Sequence, residues 1–171
     1  ASAQASVSNI NGNSASAVHN YSVDSSAPTI IINTVASDNI VNASEADAGV
    51  TVSGSTTAEA GQIVTVTLNS PTVQTYQATV QADGSWSISV PPADLSALTA
   101  SNYTVSAAVS DKAGNPASVN HNLTVDTSVP VVTINTVAGD DVINATEHAQ
   151  AQIISGSATG AATGSTVTVT I

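Results

Sequence analysis

The sequence predicts an all-β protein built from tandem β-sandwich modules, and three observations lead to this prediction. The chain is rich in Val, Thr, Ile and Ser, the residue types that favour strands over helices. Short stretches of alternating apolar and polar residues recur along it, separated by turn signals at intervals of about 8–12 residues. One long segment also occurs twice, which indicates that whole structural units are repeated.

The repeat relates residues 23–57 to residues 125–159, with equivalent positions 102 residues apart. The two copies agree at 17 of 35 positions without a gap. A period of this length corresponds to a small domain rather than to one turn of a solenoid. We therefore expect residues 1–24 to be the last strands of one module, residues 25–126 a complete module, and residues 127–171 the first strands of another.

The complete module is predicted to contain seven strands, at residues 29–35, 50–54, 63–68, 75–80, 86–90, 103–109 and 117–125. The tripeptide Ala-Asp-Gly around Asp83 is a tight hairpin signal. The Pro91-Pro92 pair ends the fifth strand, because proline cannot donate to a strand ladder. Residues 93–98 are predicted to form one helical turn. Seven short strands in this arrangement are typical of an immunoglobulin-like β-sandwich.

Several single residues have predicted structural roles in this sandwich. Trp86 is expected to anchor the core, and Tyr103 to form a tyrosine corner in which its hydroxyl bonds the backbone. Asp83 is expected to bond the backbone of its own turn, and Asp94 to cap the helical turn.

The flanking segments repeat parts of the complete module. Residues 9–23 align with residues 111–125 at the same offset, and STVTVTI at 165–171 repeats QIVTVTL at 62–68 after a one-residue insertion. The two part modules therefore lack some of the strands that would pair with theirs. We expect them to fray or to pair between molecules, because unpaired strand edges are templates for other chains.

The composition excludes several classes of function. The chain has 12 acidic residues against one Lys or Arg, a formal net charge of −11, which argues against binding nucleic acid or anionic membranes. The absence of Cys excludes disulfides and zinc–thiolate sites. No catalytic or phosphate-binding motif is present, and His19 and His121 occupy one repeat position, so we do not expect an enzyme.

The acidic residues recur at the joints between modules and in one loop. Alternating strand directions should place Asp38, Asn39 and Glu45 near Asp126 at one pole of the module. The same alternation should place Asp111 and Asn115 near Asp24 at the other pole. Carboxylates gathered this way repel each other unless a cation lies between them, and Ca²⁺ accepts about six to eight oxygen ligands.

We therefore predict a Ca²⁺ site at each joint. The first-choice ligands are Asp24, Asp38, Asp111, Asp126 and Asp140, and the second-choice ligands are Asn39, Glu45, Asp141 and Glu147. The alternative is that these side chains bond the backbone of their own turns, as Asp does more often than it binds a metal. For Asp111 and Asn115 both interpretations stay open.

The blocks VD-x-S-x-P, ADGSW and SDKAGN together resemble the bacterial Ig-like repeats of giant non-fimbrial adhesins, and the likeness covers essentially the whole chain. Such adhesins are very long surface proteins of Gram-negative bacteria, exported by type 1 secretion. The resemblance implies an Ig-like fold, a rod of many modules, and Ca²⁺ held at module junctions by Asp24, Asp126, Asp38, Asp140 and Asp111. It also implies that adhesion to host-cell glycans belongs to terminal modules of such proteins.

The expected function is that of a stalk segment in a secreted surface adhesin. Its partners would be neighbouring modules, with glycans bound elsewhere in the parent protein, and the segment itself would be a monomeric extracellular rod without membrane insertion. The alternative is a carbohydrate- or receptor-binding module. A solvated Trp86 would favour binding, because sugar sites use exposed aromatic faces, and a buried Trp86 would favour the stalk.

Overall fold

The computed structural model describes residues 1–171. The strands are β1 (Ser2–Ser8), β2 (Ser14–Asn20), β3 (Ile30–Ile32), β4 (Ile40–Asn42), β5 (Val50–Thr56), β6 (Ile63–Asn69), β7 (Gln74–Thr79), β8 (Ser85–Val90), β9 (Ser101–Ser110), β10 (Pro116–Asp126), β11 (Val131–Ile134) and β12 (Gly156–Thr159). Two short helices, α1 (Ala43–Ala48) and α2 (Pro92–Ser96), and a 3₁₀ turn (Glu147–Ala149) complete the chain.

Strands β3 to β10 form two sheets packed face to face. One sheet has the order β3-β5-β8, and the other has the order β4-β10-β9-β6-β7. All neighbouring strands are antiparallel except β4 and β10, which are parallel. This arrangement is an Ig-like β-sandwich, so the predicted all-β class is confirmed. Each of the seven predicted strands is present, although the first is shortened to β3.

Strand β6 shows why the alternating pattern forms a sandwich. Val64, Val66 and Leu68 point into the core and are buried, whereas Thr65 and Thr67 between them face outward and are half-buried. Successive strand side chains point to opposite faces, so each Val-Thr step contributes one residue to the core and one to the surface. The strand lies between β7 and β9, in the interior of the larger sheet.

Trp86 is the core anchor, as predicted, with 1% of its surface exposed. Its indole ring lies over Gly54, its neighbour across the β5–β8 pair. A Cβ added to Gly54 would lie 2.5 Å from Trp86 Cζ2, so only glycine fits beneath the ring. The indole Nε1 is buried and has no hydrogen-bond partner in the chain.

The predicted tyrosine corner is also confirmed. The Tyr103 hydroxyl donates to Thr99 O at 3.0 Å and accepts from Thr99 N at 3.1 Å. Tyr103 is buried at the start of β9, so the hydroxyl satisfies both groups of a residue in the preceding corner.

Residues 38–48, predicted as a loop, contain β4 and α1. Asn42 and Glu45 form a capping box, in which Asn42 Oδ1 accepts from Glu45 N and Glu45 Oε2 accepts from Asn42 N, both at 3.0 Å. The spacing of Asn and Glu carried this signal in the sequence. Neither α1 nor α2 is long and apolar enough to cross a membrane.

The prediction that Asp94 caps the helical turn is wrong. Pro91 occupies the cap position of α2 without a side-chain bond, and Asp94 lies inside the first turn. Its Oδ2 accepts a hydrogen bond from the Tyr76 hydroxyl at 2.6 Å, which fastens β7 to α2. Burial, followed by this hydrogen bond and the charge of Asp94, raises the pKa of Tyr76. Asp83 behaves as predicted, since its Oδ1 accepts from Ser85 N at 3.0 Å.

The flanking segments form two separate two-stranded sheets, the hairpin β1–β2 and the pair β11–β12. Every residue in these four strands is exposed. Residues 160–171 form no strand. The hydrophobic core belongs entirely to residues between Ile30 and Val125.

Candidate cation sites at the joints

The first joint, residues 24–28, lies against the turn between β9 and β10. The side-chain amide nitrogen of Asn115 donates to the main-chain oxygens of Asp24 and Ser26, at 3.3 and 3.4 Å. It also donates to Asp111 Oδ2 at 2.9 Å. Three oxygens from two distant parts of the chain therefore surround one point. The predicted approach of the turn to Asp24 is present in the structure.

Both carboxylate oxygens of Asp111 accept hydrogen bonds from Asn115. In addition to the side-chain bond, Asp111 Oδ1 accepts from Asn115 N at 2.8 Å. The Asn115 side-chain amide, with the main-chain N–H groups of the turn, holds the pKa of the Asp111 carboxyl below its usual value. Gly114, with φ of 95°, reverses the chain so that these N–H groups face the carboxylate. The turn is therefore built around an ionised Asp111.

Two residues of this region were not predicted, Glu59 and Ser26. Glu59 Oε2 accepts from Lys112 N at 2.9 Å, which brings the loop between β5 and β6 to the same pole. The strand alternation that placed the β9–β10 turn at this pole also places the β5–β6 loop there, so topology carried the signal for Glu59. Ser26 contributes a main-chain oxygen, and no residue-type pattern identifies such a ligand.

The second joint, residues 126–130, follows directly after β10. His121 and Thr124 of β10 both contact Asn39. Asn39 has φ of 67° and its main-chain oxygen accepts from Thr124 N at 2.9 Å. Its Oδ1 accepts from Val35 N at 2.9 Å and lies 2.7 Å from His121 Nε2. Because Oδ1 is already an acceptor, Nε2 of His121 carries the hydrogen and donates. Asn39 thus ties the β3–β4 loop to β10.

Asp126 lies opposite Asn42 in the parallel β4–β10 pair. This register brings Asp126 to the segment that holds Glu45, as the strand alternation predicted. Asp126 Oδ1 accepts from Ser128 N at 3.0 Å and Ser128 Oγ at 2.6 Å. The Ser128 hydroxyl and then its N–H lower the pKa of the Asp126 carboxyl.

The polar contacts of residues 35–45 recur in residues 137–147. Asp141 Oδ1 accepts from Val137 N at 2.8 Å, as Asn39 does from Val35. Asp38 and Asp140 each accept from the N–H two residues ahead, at 2.9 and 3.0 Å. Glu147 Oε2 accepts from Asn144 N at 3.0 Å, matching Glu45. The repeat is therefore a repeat of local hydrogen bonding as well as of sequence.

A family model for the bacterial Ig-like domain matches residues 2–127. The chain belongs to the bacterial Ig-like domain family. The match covers the first hairpin, the first joint and the whole sandwich, and it ends within the second joint. No curated protein sequence is significantly similar to the chain.

Two solved structures of bacterial adhesins resemble the chain. An adhesin of an Antarctic bacterium, described as Ca²⁺-stabilised and as helping the cell reach out and bind ice, is 37% identical with a TM-score of 0.52. A 1.5-MDa bacterial ice-binding adhesin, studied for its retention at the host cell surface, is 38% identical with a TM-score of 0.52. Each alignment covers 93% of this chain, but only 40% and 52% of the solved chains.

The geometry of the candidate sites bears on whether a cation fits. Each candidate Asp uses one oxygen to accept an N–H of its own loop, which is the backbone-bonding arrangement considered as the alternative. No group of three or more Asp, Glu, His or Cys side chains lies together in the chain. A Ca²⁺ ligand set would therefore have to include main-chain and amide oxygens, which Ca²⁺ accepts readily. The first joint supplies such oxygens from two segments.

Proposed function

We propose that the chain is a stalk segment of a large secreted bacterial surface adhesin, with module joints stiffened by Ca²⁺. The convergence of Asp24 O, Ser26 O and Asp111 Oδ2 on one point supports this most directly. The motif blocks resemble those of the Salmonella giant adhesin, and those of the Salmonella biofilm-associated large repeat protein are a near alternative. In this proposal residues 25–126 are one module, flanked by parts of its neighbours at 1–24 and 127–171.

At the first joint, the residues that would hold Ca²⁺ are Asp111, through its carboxylate, and Asp24 and Ser26, through their main-chain oxygens. Asn115 would contribute its side-chain oxygen after its amide rotates by half a turn, since the two ends of an amide differ only in chemistry and not in shape. The cation would neutralise Asp111 and tie the β9–β10 turn to the joint. Lys112 is the one cationic side chain other than histidine, so cations must come from solution.

At the second joint, Asp126 would act with Asp38, Asn39 and Glu45 of the segment that β4 holds beside it. Asp140 and Asp141 would serve the following joint in the same way. A chain of net charge −11 repels itself along its length, and cations at the joints would relieve that repulsion where modules meet. The rod would then resist bending at its joints. Adhesion to host cells, and any glycan binding, would belong to other modules of the parent protein.

The adhesin of the Antarctic bacterium supports this proposal, because it is described as Ca²⁺-stabilised and as reaching out from the cell. A stalk needs rigid modules and stiff joints rather than a ligand pocket. The setting would be extracellular, where Ca²⁺ is abundant and where a rod without disulfides needs another source of stiffness. No enzymatic step is part of the proposed function.

Thermal unfolding in millimolar Ca²⁺, in Mg²⁺ and in EDTA tests the cation sites. A ligand at about 100 times its Kd adds about 2.7 kcal/mol to the free energy of unfolding, which corresponds to a rise in Tm of several degrees. We expect this rise with Ca²⁺ and not with Mg²⁺. Asp111→Asn should abolish it, because the site loses its carboxylate.

Two controls make this test decisive. In the first hairpin, the position equivalent to Asp111 is Asn9, and Asn9 Oδ1 accepts from Asn13 N at 3.0 Å. Asp111→Asn is therefore compatible with this type of turn. Asp83→Asn changes an exposed turn acid whose hydrogen bonds go to Ser85 and not to a joint, so it should retain the Ca²⁺ response. An equal rise in Tm with Ca²⁺ in wild type and Asp111→Asn would show that Asp111 does not bind the cation. No rise in either protein would show that the acidic residues only form turns.

Spin labels at Ser6→Cys in β1 and Thr79→Cys in β7 test joint stiffness. The chain has no cysteine of its own, so both labels are placed without removing any residue. The distribution of distances between the labels should narrow in Ca²⁺ and broaden in EDTA. A distribution that stays unchanged while Tm rises would mean that Ca²⁺ stabilises a module but does not stiffen the joint.

A carbohydrate-binding module is the second candidate, and one surface feature favours it. A polar hollow of about 490 Å³ lies where β7 and β8 approach each other, lined among others by Asn33, Gln77 and Gln81. Trp86 borders the hollow but its side chain is buried, so the exposed aromatic face typical of sugar sites would have to be replaced by amide contacts. Glycan binding that is lost in Gln77→Ala would support this candidate over the stalk.

A further inference from the structure

The two sides of the β3–β10 sandwich differ in how they are closed. On one side the chain passes from β3 in the smaller sheet to β4 in the larger one, and β3 also contacts β10. On the other side β8 is the last strand of the smaller sheet and β7 the last strand of the larger one, and no strand bridges them. The sandwich therefore has one open side, formed by strands from its own interior sequence.

Strand β8 bonds β5 through every second residue. Thr56 N donates to Gly84 O at 2.9 Å, and bonded pairs alternate with unbonded pairs along antiparallel strands. The next residues of β8 that bond β5 are therefore Trp86, Ile88 and Val90. The residues between them direct their N–H and C=O groups away from β5, toward the open side.

Two of these intervening residues have free main-chain groups. Ser85 is occupied, because its N–H donates to Asp83 Oδ1 at 3.0 Å and its C=O accepts from Gln81 N at 2.8 Å. The main-chain N–H and C=O groups of Ser87 and Ser89 have no hydrogen-bond partner in the chain. The open edge of β8 thus presents two donors and two acceptors.

Strand β8 also lacks the features that protect edge strands. Such strands are commonly blunted by charged residues, by proline or by a bulge. The sequences of β7 and β8, QTYQAT and SWSISV, contain neither a charge nor a proline, and the pairing of β8 with β5 has no bulge. The hollow of about 490 Å³ between β7 and β8 leaves open space beside this edge. A further strand therefore has both room and hydrogen-bonding groups.

We propose that β8 pairs antiparallel with β8 of a second copy, across a two-fold axis at Ile88. Ser87 then lies opposite Ser89 of the second copy, and Ser89 lies opposite Ser87 of the second copy. Bonded pairs in antiparallel strands exchange both of their N–H···O bonds, so this register satisfies every free group at the two edges. The two smaller sheets become one continuous sheet.

A second copy is the occupant that the structure favours, because the edge is its own complement in one register. Shifting the two strands by one bonded pair would bring in Ser85, whose groups are already used, or Pro91, which has no N–H. Strand β8 carries no charged residue, so the contact forms without burying charge despite the net charge of −11. The contact is isologous and stops at two copies.

The antiparallel pairing sets the relative direction of the two modules, which point opposite ways. Stalks on one cell surface extend in the same direction, whereas stalks on two facing surfaces extend toward each other. The β8 edge therefore suits a contact between stalks of facing cells, and this consequence rests on the proposed stalk function. The pairing itself involves neither joint and no cation, so it is expected in EDTA whether or not the joints bind Ca²⁺.

Engineered cysteines test the register, since the chain has no cysteine of its own. In EDTA and under mild oxidation, Ser87→Cys with Ser89→Cys should give disulfide-linked dimers on a non-reducing gel, because the Cα atoms of opposite residues lie about 5.5 Å apart. The matched pair Ser53→Cys with Ser55→Cys has the same spacing and the same outer face, but lies in the interior strand β5. It should cross-link at least about tenfold more slowly. Equal rates for the two pairs would overturn the proposal.

The single variant Ser87→Cys tests the direction of the pairing. In the proposed register residue 87 lies diagonally across from residue 87 of the second copy, at about 7–8 Å, which is beyond the reach of a disulfide. We expect this variant to cross-link no faster than the control pair in β5. Rapid cross-linking of the single variant would overturn the antiparallel contact in favour of a parallel one.

Sedimentation velocity over a wide range of concentration tests the association itself. Ser87→Pro removes an N–H at the open edge without removing a bond to β5, and should weaken association at least about tenfold. Ser87→Ala keeps the N–H and should associate as wild type does, and circular dichroism checks that both variants are folded. Salt should strengthen association, because it screens the repulsion between two acidic copies. A monomer at all concentrations, or equal association of the two variants, would overturn the proposal.

Discussion

Strand β6 and residues 165–171 have nearly the same sequence and different structures. The first reads IVTVTLN and is an interior strand of a five-stranded sheet, and the second reads STVTVTI and forms no strand. The intrinsic preferences of the two segments are the same, so the difference lies in their neighbours. β6 has β7 and β9 on its two sides, and residues 165–171 pair with no strand.

Other features are the same in both regions. The turn around Asn39 and the turn around Asp141 share their hydrogen bonds, and the capping pairs at Asn42 and Asn144 do as well. These features depend on residues at most four positions apart. The helix that follows the cap differs, since α1 packs against α2 whereas its equivalent is only a 3₁₀ turn at Glu147–Ala149. Local polar contacts are therefore encoded locally, and strands and helices depend on packing.

Hydrogen exchange should show the largest difference between the regions. Amides of β5, β6, β9 and β10 should exchange only through global unfolding, which costs about 5–15 kcal/mol in domains of this kind. Amides of β1, β2, β11 and β12 should exchange through local opening at little cost. The measurement is best made at low protein concentration. Uniform protection across the whole monomer would contradict the comparison.

Matched core truncations should differ by several kilocalories per mole. Leu68→Ala removes a side chain that is 2% exposed, and we expect a loss of about 2–5 kcal/mol in the free energy of unfolding. Ile171→Ala changes the equivalent position of the last segment, which is fully exposed, and should have almost no effect. Urea unfolding followed by circular dichroism measures both. A similar loss at the two positions would show that the last segment is packed in solution.

Removal of the tyrosine corner should have a smaller effect. Tyr103→Phe deletes the hydroxyl that bonds Thr99 and leaves the ring in the core, so we expect a loss of about 0.5–1.5 kcal/mol. Tyr21→Phe is the control, because Tyr21 is 49% exposed and lies beyond the first hairpin. The two unfolding midpoints in urea make the comparison. A Tyr103→Phe midpoint equal to that of wild type would mean that the corner does not hold β9 in place.

Lowering the pH should produce the smallest change in stability of the four tests. The pKa values of Asp83, Asp111 and Asp126 are lowered by hydrogen bonds in the folded state. Their contribution is therefore present above the unfolded carboxyl pKa of about 3.9 and is lost as the pH falls through the folded values. Urea midpoints in EDTA should decrease below about pH 4, and less steeply in Asp111→Asn. Identical pH profiles for the variant and wild type would exclude Asp111 from this effect.

The sequence was sufficient to predict the strands and the class of fold, because the alternation in segments such as β6 reports directly which face is buried. It was also sufficient to predict that Trp86 is buried in the core, that the Tyr103 hydroxyl bonds the backbone, and that Asp83 bonds its own turn. It was not sufficient for β4, whose three residues form a strand only because β10 passes beside them, nor for Asp94, whose partner Tyr76 is 18 residues away.

The same distinction applies to the candidate cation site. The predicted strand directions placed Asp24 and Asp111 at one pole. In the structure their segments lie together, because Asn115 bonds both of them. The oxygens that converge there include two main-chain groups, on Asp24 and Ser26, and no pattern of residue types identifies those. The orientation of the Asn115 amide depends on what lies in front of it, which a sequence does not contain.

The parallel pairing of β4 with β10 has a consequence for a segment that is pulled from its two ends. Tension applied before β3 and after β10 pulls the neighbouring strands β4 and β10 in opposite directions along their own axes. The ladder formed by Thr124–Ile40, Val125–Val41 and Asp126–Asn42 is then loaded in shear, so that its hydrogen bonds bear the force together rather than opening one at a time. Such a module unfolds at a higher force than one whose terminal strands are peeled apart. The applied force is transmitted through those three residue pairs.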